Sequence, residues 1–320
     1  MTQPVITLCT LFDIRFAIQG ITMIESVERH TSASINWVTL ALDAETYDYL
    51  TKLQRKNLRV LRFEDLEDQE LQNLFGVRPW GEICWTSAAC LLSYCLKNSK
   101  PDELVAYIDA DCFFFQDFLE FLNNAEPQQK IFIHEHRFSE DRAEWLAKSG
   151  RFNVGVVAGF KSDEFDRCVS RWREQVINDC SVNQELGKCG DQTYLNEWPQ
   201  IYQNLRIVNL KGAGVAPWNL NNYRLGMGES GPTVDGEEII FFHFHGLKFA
   251  YIGRRIWFYF IAPGYLLEQN PNREIYRIYL KYLTQKIDLF RVTANRSMSL
   301  GWTLRNVRKS KMHTFFPRIP

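Results

Sequence analysis

Two aspartates, Asp109 and Asp111, close the apolar run at 105–108 in "LVAYIDADCFFF", and three phenylalanines follow close behind. A carboxylate beside apolar surface is costly unless a metal ion, a helix N-terminus, a basic side chain or water meets it. Residues two apart in extended chain point the same way, so both carboxylates can converge on one ion. A second pair, His243 and His245 in "IIFFHFHG", also ends an apolar run and shares one strand face. Carboxylate oxygen with imidazole nitrogen suits Mn2+, and Mg2+ is compatible through carboxylates and phosphate. The plainer alternative for the histidines is a core or edge pair bonded to backbone.

Two further stretches bear on the same chemistry. In "RFNVGVVAGF", Gly155 and Gly159 lie inside a strand pattern next to Asn153, which signals close approach by another group or tight packing under a helix. In "GKCGDQTYLNEW", Asp191 and Gln192 open a helix after Gly190. Asp191 reads either as a helix N-cap or as a carboxylate at the edge of a polar site, with an amide beside it.

The elements that must position these residues follow an alternating β and α pattern. Strands are expected at 5–10, 35–42, 58–63, 104–108, 130–134, 153–160 and 239–246, the last of the series. Helices are expected at 17–30, 82–98 and 162–178, with a short one opening near Asp191. From Pro263 onward the pattern is helical, notably in "REIYRIYLKYLTQKI", with no further strand. The expected organisation is a catalytic α/β unit over 1–262 and a helical, basic tail over 263–320. In an open α/β sheet, ligands bind outside the carboxyl ends of the strands, where Asp109 falls.

Composition narrows the function classes. Formal net charge is -1, which offers no global field for nucleic acid. The 8 cysteines show no CxxC pair and no zinc spacing, which fits reduced thiols in a cytoplasmic protein. The start, "MTQPVITLCTLFD", lacks a basic region followed by an apolar core. The longest apolar stretch, "IWFYFIAPGYLL", is broken by Pro263 and Gly264 and is too short to span a bilayer.

Taken in order, the motifs resemble those of retaining glycosyltransferases with the GT-A fold, most of all glycosyltransferase family 8 and its bacterial relatives. "YIDAD" is similar to that family's DxD, "FNVGVVAGF" to its FN-x-G strand, "GDQTYLN" to its DQ-x-x-LN helix and "HFHG" to its H-x-x-G segment. The likeness covers roughly residues 4–250. It implies a mixed sheet flanked by helices, Rossmann-like, with a helical C-terminal extension. It implies a nucleotide-sugar donor, UDP-linked by preference, and transfer to a glycan or lipid-linked acceptor with retention at the anomeric carbon.

The resemblance also implies roles. Asp109, Asp111 and His243, with His245 as second choice, would hold Mn2+ or Mg2+. Thr10, Phe12 and Asp13 would meet the nucleotide, and Gly246 and Lys248 its diphosphate. Gln192, Asp191 and Asn153 would face the sugar. Lys248 stands one residue nearer its glycine than the family's lysine does, and small residues around Ser87–Cys90 replace the family's arginine on the helix before the DxD. Trp80, Trp85, Trp218 and "HEHRF" (134–138) are candidates for the acceptor side.

Two rivals read the same residues differently. A haloacid-dehalogenase-type phosphohydrolase would use Asp109 as nucleophile and Asp111 as general acid, but that family expects Thr or Val where Phe113 stands. A sugar-nucleotide or glycan-binding module would keep the fold without turnover. Beyond Asp288 no acidic residue remains, and Arg291, Arg296, Arg305, Arg308, Lys309, Lys311 and Arg318 alternate with apolar residues. That composition suits peripheral contact with an anionic membrane on its cytoplasmic face.

Overall fold

The computed structural model describes residues 5–252, 255–260, 273–286 and 314–315. The chain begins with β1 (Val5–Phe12), α1 (Ala17–His30), β2 (Ser34–Ala41), α2 (Ala44–Lys52), β3 (Leu58–Leu61) and α3 (Gln69–Gln72). Next come α4 (Trp80–Lys97), β4 (Leu104–Ile108), β5 (Cys112–Phe114), β6 (Ile131–Glu135), α5 (Trp145–Ser149), β7 (Phe152–Phe160) and α6 (Asp163–Asn178). Short β8 (Val182–Asn183), β9 (Lys188–Cys189) and α7 (Trp198–Ile201) lead to β10 (Leu205–Val208). A small meander of β11 (Leu225–Met227), β12 (Pro232–Val234) and β13 (Glu237–Glu238) precedes β14 (Phe241–His243). The described chain closes with β15 (Leu247–Ile252), β16 (Arg255–Phe260), α8 (Arg273–Thr284) and β17 (Thr314–Phe315).

Seven strands form one sheet in the order β10-β6-β7-β4-β1-β2-β3. Its pairs are parallel except at β7, which runs antiparallel to both β4 and β6. This is the expected mixed α/β sheet flanked by helices. Strand periodicity divides the core in two. Ala106 and Ile108 of β4 face the layer of α1 and α8, while Val105 and Tyr107 face that of α4 and α6. With both sides covered, β4 is buried throughout, which is why it reads as an unbroken apolar run.

Local signals explain the helices. The Ser162 hydroxyl caps α6 by accepting from Phe165 N at 3.3 Å, and Asp163, Glu164 and Asp166 sit in its first turn. Its buried residues, Phe165, Cys168, Val169, Trp172 and Val176, keep helical spacing. Gly159 of β7 is required by that packing: a Cβ there would lie 2.6 Å from both Lys130 O and the Phe165 ring.

The region after residue 240 departs from expectation. The apolar run at 239–246 forms a strand only over Phe241–His243. It is not the last strand, because β15 and β16 pair antiparallel and β17 adds to β16. "LKFAYI" and "RIWFYF" are rich in aromatic and β-branched residues, the composition of paired strands. The expected helix in "REIYRIYLKYLTQKI" is present as α8, whose Ile275, Tyr276, Tyr279, Leu280 and Leu283 are buried in the same cluster as α1 and β4. The basic stretch at 289–320 lies outside the described residues apart from β17. No helix among the described residues is long and apolar enough to cross a membrane. The eight cysteines form no disulfide.

Candidate active site

The acidic pair leaves the sheet at the carboxyl end of β4. Asp109 N donates to Gly155 O at 3.0 Å and Cys112 N to Asp109 O at 3.1 Å, so the chain turns tightly through Ala110 into β5. β5 then pairs antiparallel with β14, which sets Phe241 opposite Phe114, Phe242 opposite Phe113 and His243 opposite Cys112. That register delivers the imidazole to the carboxylates. His243 Nε2 lies 3.0 Å from Asp111 Oδ1 and 3.8 Å from Asp109 Oδ2, and the His243 side chain is 4% exposed. Phe244 N donates to Asp111 O at 2.8 Å, which ties the next residue of this segment to the same turn.

The far side of His243 is also held. Asn153 Oδ1 accepts from Gly155 N at 2.9 Å and lies 3.1 Å from His243 Nδ1. An oxygen in that position makes Nδ1 a donor and turns Nε2 towards Asp111. The Asn153 amide Nδ2 reaches His136 Nε2 at 3.2 Å and donates to Gln192 Oε1 at 3.4 Å. Gln192 Nε2 in turn donates to Ser149 O at 2.9 Å. One amide therefore links the imidazole below the acidic pair to the amide at the opening of the segment after Gly190.

Gly155 is what lets this arrangement close. A Cβ there would lie 2.6 Å from Asn153 Oδ1 and 2.8 Å from His243 Nδ1. We expect Gly155→Ala to break the Asn153–His243 contact and lower stability by about 1–3 kcal/mol, the usual cost of overpacking. Urea denaturation checks this, and a variant as stable as the parent would show that the pair relaxes freely.

Electrostatics fit an assembly of carboxylates drawn partly out of water. Loss of solvent raises the Asp109 carboxyl above its ordinary range, and Asp111 adds to this while His243 opposes it. Burial, then the Asp109 charge, raises Asp191 well above its ordinary value. Burial acts to lower His243, but Asp111 and then Asp109 outweigh it and hold the imidazole above its usual range. His136, buried and next to His243, is pushed down to about 3, which keeps it a neutral acceptor for Asn153. Tyr107 donates its hydroxyl to Asp109 Oδ1 at 2.9 Å.

These groups open into one cleft of about 730 Å³. Its walls bring together Phe12, Asp13, Asp109, Asp111, Asn153, Asp191, Gln192, His243, His245 and Gly246. Thr10 is not among them: it is fully buried in β1, beside Thr39 of β2. The Lys248 side chain lies outside the described residues. Trp80, Trp85 and Trp218 line the cleft, as do His136 and Phe138 of the 134–138 stretch, whereas His134 is buried against Phe121 and Phe241. Asp191 makes no side-chain N-cap bond to the helical turn that it opens, although the backbone amides of Asp191 and Gln192 act to lower its carboxyl.

Sequence reading missed Arg15. Its backbone N donates to Asp13 Oδ1 at 2.9 Å, and its Nε to Oδ2 at 2.8 Å with Nη2 on the same oxygen. This places a guanidinium in the cleft next to the first loop's carboxylate. The signal was the i, i+2 spacing of Asp13 and Arg15 after a buried strand. Tyr107, Cys84 and Cys189 also line the cleft and carry no local pattern that would single them out. Asp111, His243 and His245 each offer a ligand atom, and these atoms lie within 4.8 Å of one another.

No protein-family model matches the chain. Two uncharacterized proteins of Bacillus subtilis (strain 168) are similar in sequence. YfnD is 28% identical over 273 residues, 83% of this chain and 85% of that protein. YfnF is 26% identical over 251 residues, 76% and 82%. Among solved structures, the galactosyltransferase LgtC in complex with donor and acceptor sugar analogs is similar with a TM-score of 0.54 and 13% identity, over 94% of this chain and all of that one. An active-site mutant of LgtC gives a TM-score of 0.50 at 13% identity, over 93% of this chain and 99% of that one. At that identity the likeness speaks for architecture: the chain has the GT-A fold of nucleotide-sugar glycosyltransferases.

Proposed function

We propose that the protein is a glycosyltransferase that moves a sugar from a nucleotide-diphosphate donor, UDP-linked by preference, to a glycan or lipid-linked acceptor with retention of anomeric configuration. The observation that carries this reading is the convergence of Asp109, Asp111 and His243 on the floor of the cleft. His243 Nε2 faces Asp111 Oδ1 at 3.0 Å, a contact that either a proton on Nε2 or a divalent ion displacing that proton would satisfy. About 3 Å is also the edge of an octahedron around an ion with bonds of ~2.1 Å. The residues therefore fit Mn2+ or Mg2+, which Asp109, Asp111, His243 and His245 would hold. Such an ion would neutralise charge on the departing nucleotide diphosphate.

The chain's own residues supply the rest. Asn153 orients His243 and, through its Nδ2, the Gln192 carbonyl. Gln192 and Asp191, on the wall beyond the acidic pair, present an amide and a carboxylate where positive charge develops on the sugar ring. Phe12, Asp13 and Arg15 line the part of the cleft assigned to the nucleotide.

The test is mass spectrometry of donor hydrolysis over a panel of UDP, GDP and dTDP sugars, with calorimetry of UDP binding with and without Mn2+. Hydrolysis of one donor class and UDP binding that requires Mn2+ are expected. A protein that splits no donor, or binds UDP equally in chelator, would overturn the reading. We also expect Gln192→Ala to lower turnover far more than it weakens UDP affinity. A large loss of affinity with unchanged turnover would move Gln192 to uniform binding.

A further inference from the structure

We infer that the exposed face of Trp85 is the platform on which a pyranose ring of the sugar acceptor lies, an inference that rests on the glycosyltransferase reading above. Trp85 lines the cleft and remains 42% exposed, next to Trp80 at 41%. A large aromatic surface left open inside a polar cleft marks a contact site for a ligand.

The indole is held in place. It runs along Gly81 of its own helix, where a Cβ would lie 3.9 Å from Trp85 Cη2. It also rests against Gly190, where a Cβ would lie 3.0 Å from Trp85 Cε3 and 3.2 Å from Cδ2. Gly190 has φ of +58°, so any side chain there would be strained in backbone as well as crowded. The bare backbone of residue 190 thus backs the ring. The next two residues are Asp191 and Gln192, which places the platform directly beside the groups assigned to the transferred sugar.

The chemistry of the surroundings selects the occupant. A pyranose has a face of C–H bonds, polarised positive, and a rim of hydroxyls. Its C–H face complements the negative face of an indole. Its hydroxyls complement the Gln184 and Gln192 amides and the Asp191 carboxylate, all on the same cleft. An acyl chain there would strip water from those groups and give nothing back. The donor is anchored at the acidic pair, so the platform falls to the acceptor.

Saturation-transfer NMR with methyl glycosides of glucose, galactose, mannose and rhamnose tests this on the full chain with UDP and Mn2+ present. At least one pyranoside should receive saturation on its ring C–H protons from the parent and from Trp85→Phe, which keeps an aromatic face. Trp85→Leu keeps an apolar side chain without that face and should lose the transfer. In parallel, the ratio of sugar transfer onto that glycoside to donor hydrolysis should fall about tenfold in Trp85→Leu, roughly the worth of one aromatic contact. Absence of saturation in the parent, its survival in Trp85→Leu, or an unchanged ratio would overturn the inference. Transfer and hydrolysis falling together would assign the ring to the donor sugar and overturn it too. Failure of the underlying reading looks different, because the parent itself would then hydrolyse no donor.

Discussion

Asp111→Ala is expected to lower donor hydrolysis by about 10³-fold or more, which corresponds to ~4 kcal/mol of lost transition-state stabilisation. Asp111 offers a ligand atom close to those of His243 and His245, and its Oδ1 is the carboxylate oxygen nearest to His243 Nε2. Removing it leaves the imidazole lone pair and Asp109 without the geometry for a divalent ion. The fold should survive, because the Asp111 backbone oxygen that accepts from Phe244 N is retained. Asp111→Asn serves as the control for shape, since it keeps the side-chain volume and removes the charge. Hydrolysis rates across a Mn2+ titration, with circular dichroism to confirm folding, measure the effect. Activity within tenfold of the parent at saturating Mn2+ would remove Asp111 from the site. Among the histidines, His243→Ala should do more harm than His245→Ala: His243 is buried and held by Asn153, whereas His245 is exposed.

Tyr279→Ala should destabilise the whole protein by about 3–5 kcal/mol, the cost of deleting a large buried ring. Tyr279 is fully buried on α8, and its ring stacks on Phe244 with centroids 3.8 Å apart and planes at 12°. It also meets Phe113 edge-on at 5.6 Å, and Tyr276 meets both Phe242 and Phe244. These phenylalanines belong to β5, to β14 and to the residue after it, the segments that carry Asp111 and His243. The helix therefore buttresses the acidic pair from below. The Tyr279 hydroxyl has no hydrogen-bond partner, so Tyr279→Phe should be neutral or slightly stabilising. Urea unfolding followed by fluorescence and circular dichroism checks both variants. A loss below ~1 kcal/mol for Tyr279→Ala would show that α8 is not part of this folding unit. A chain ending at residue 262 tests the boundary proposed there: we expect weakened Mn2+ binding, because α8 is then absent.

What could be read from the sequence was what depends on neighbours along the chain. An unbroken apolar run ending in two carboxylates announced a doubly covered strand with polar groups at its carboxyl end, and β4 is such a strand. The alternation of short apolar runs with helical spacing announced the α/β sheet. Two glycines inside β7 announced close approaches, and both are crowded by neighbouring groups. These signals survive without tertiary context because side-chain period and backbone sterics are local properties.

Contacts between distant segments were decided only in three dimensions. His243 could be suspected from its spacing, but its place opposite Cys112 follows from the β5–β14 register, set by hydrogen bonds and by the Phe114–Phe241 stack. The choice between strand and apolar filler after residue 246 depended on pairing partners, which made β15 and β16 a hairpin rather than an isolated run. Arg15 stood beside Asp13 in plain view, yet its direction into the cleft depends on the loop's path over β1. Trp80, Trp85 and Trp218 stood level in the sequence as acceptor-side candidates, and only the backbone of Gly190 against its ring set Trp85 apart. The sequence by itself determined which strands exist and where carboxylates must leave them, since burial is written in residue type. The tertiary structure alone decided which groups meet those carboxylates, since strand register and helix docking are won by the sum of many long-range contacts that no single stretch encodes.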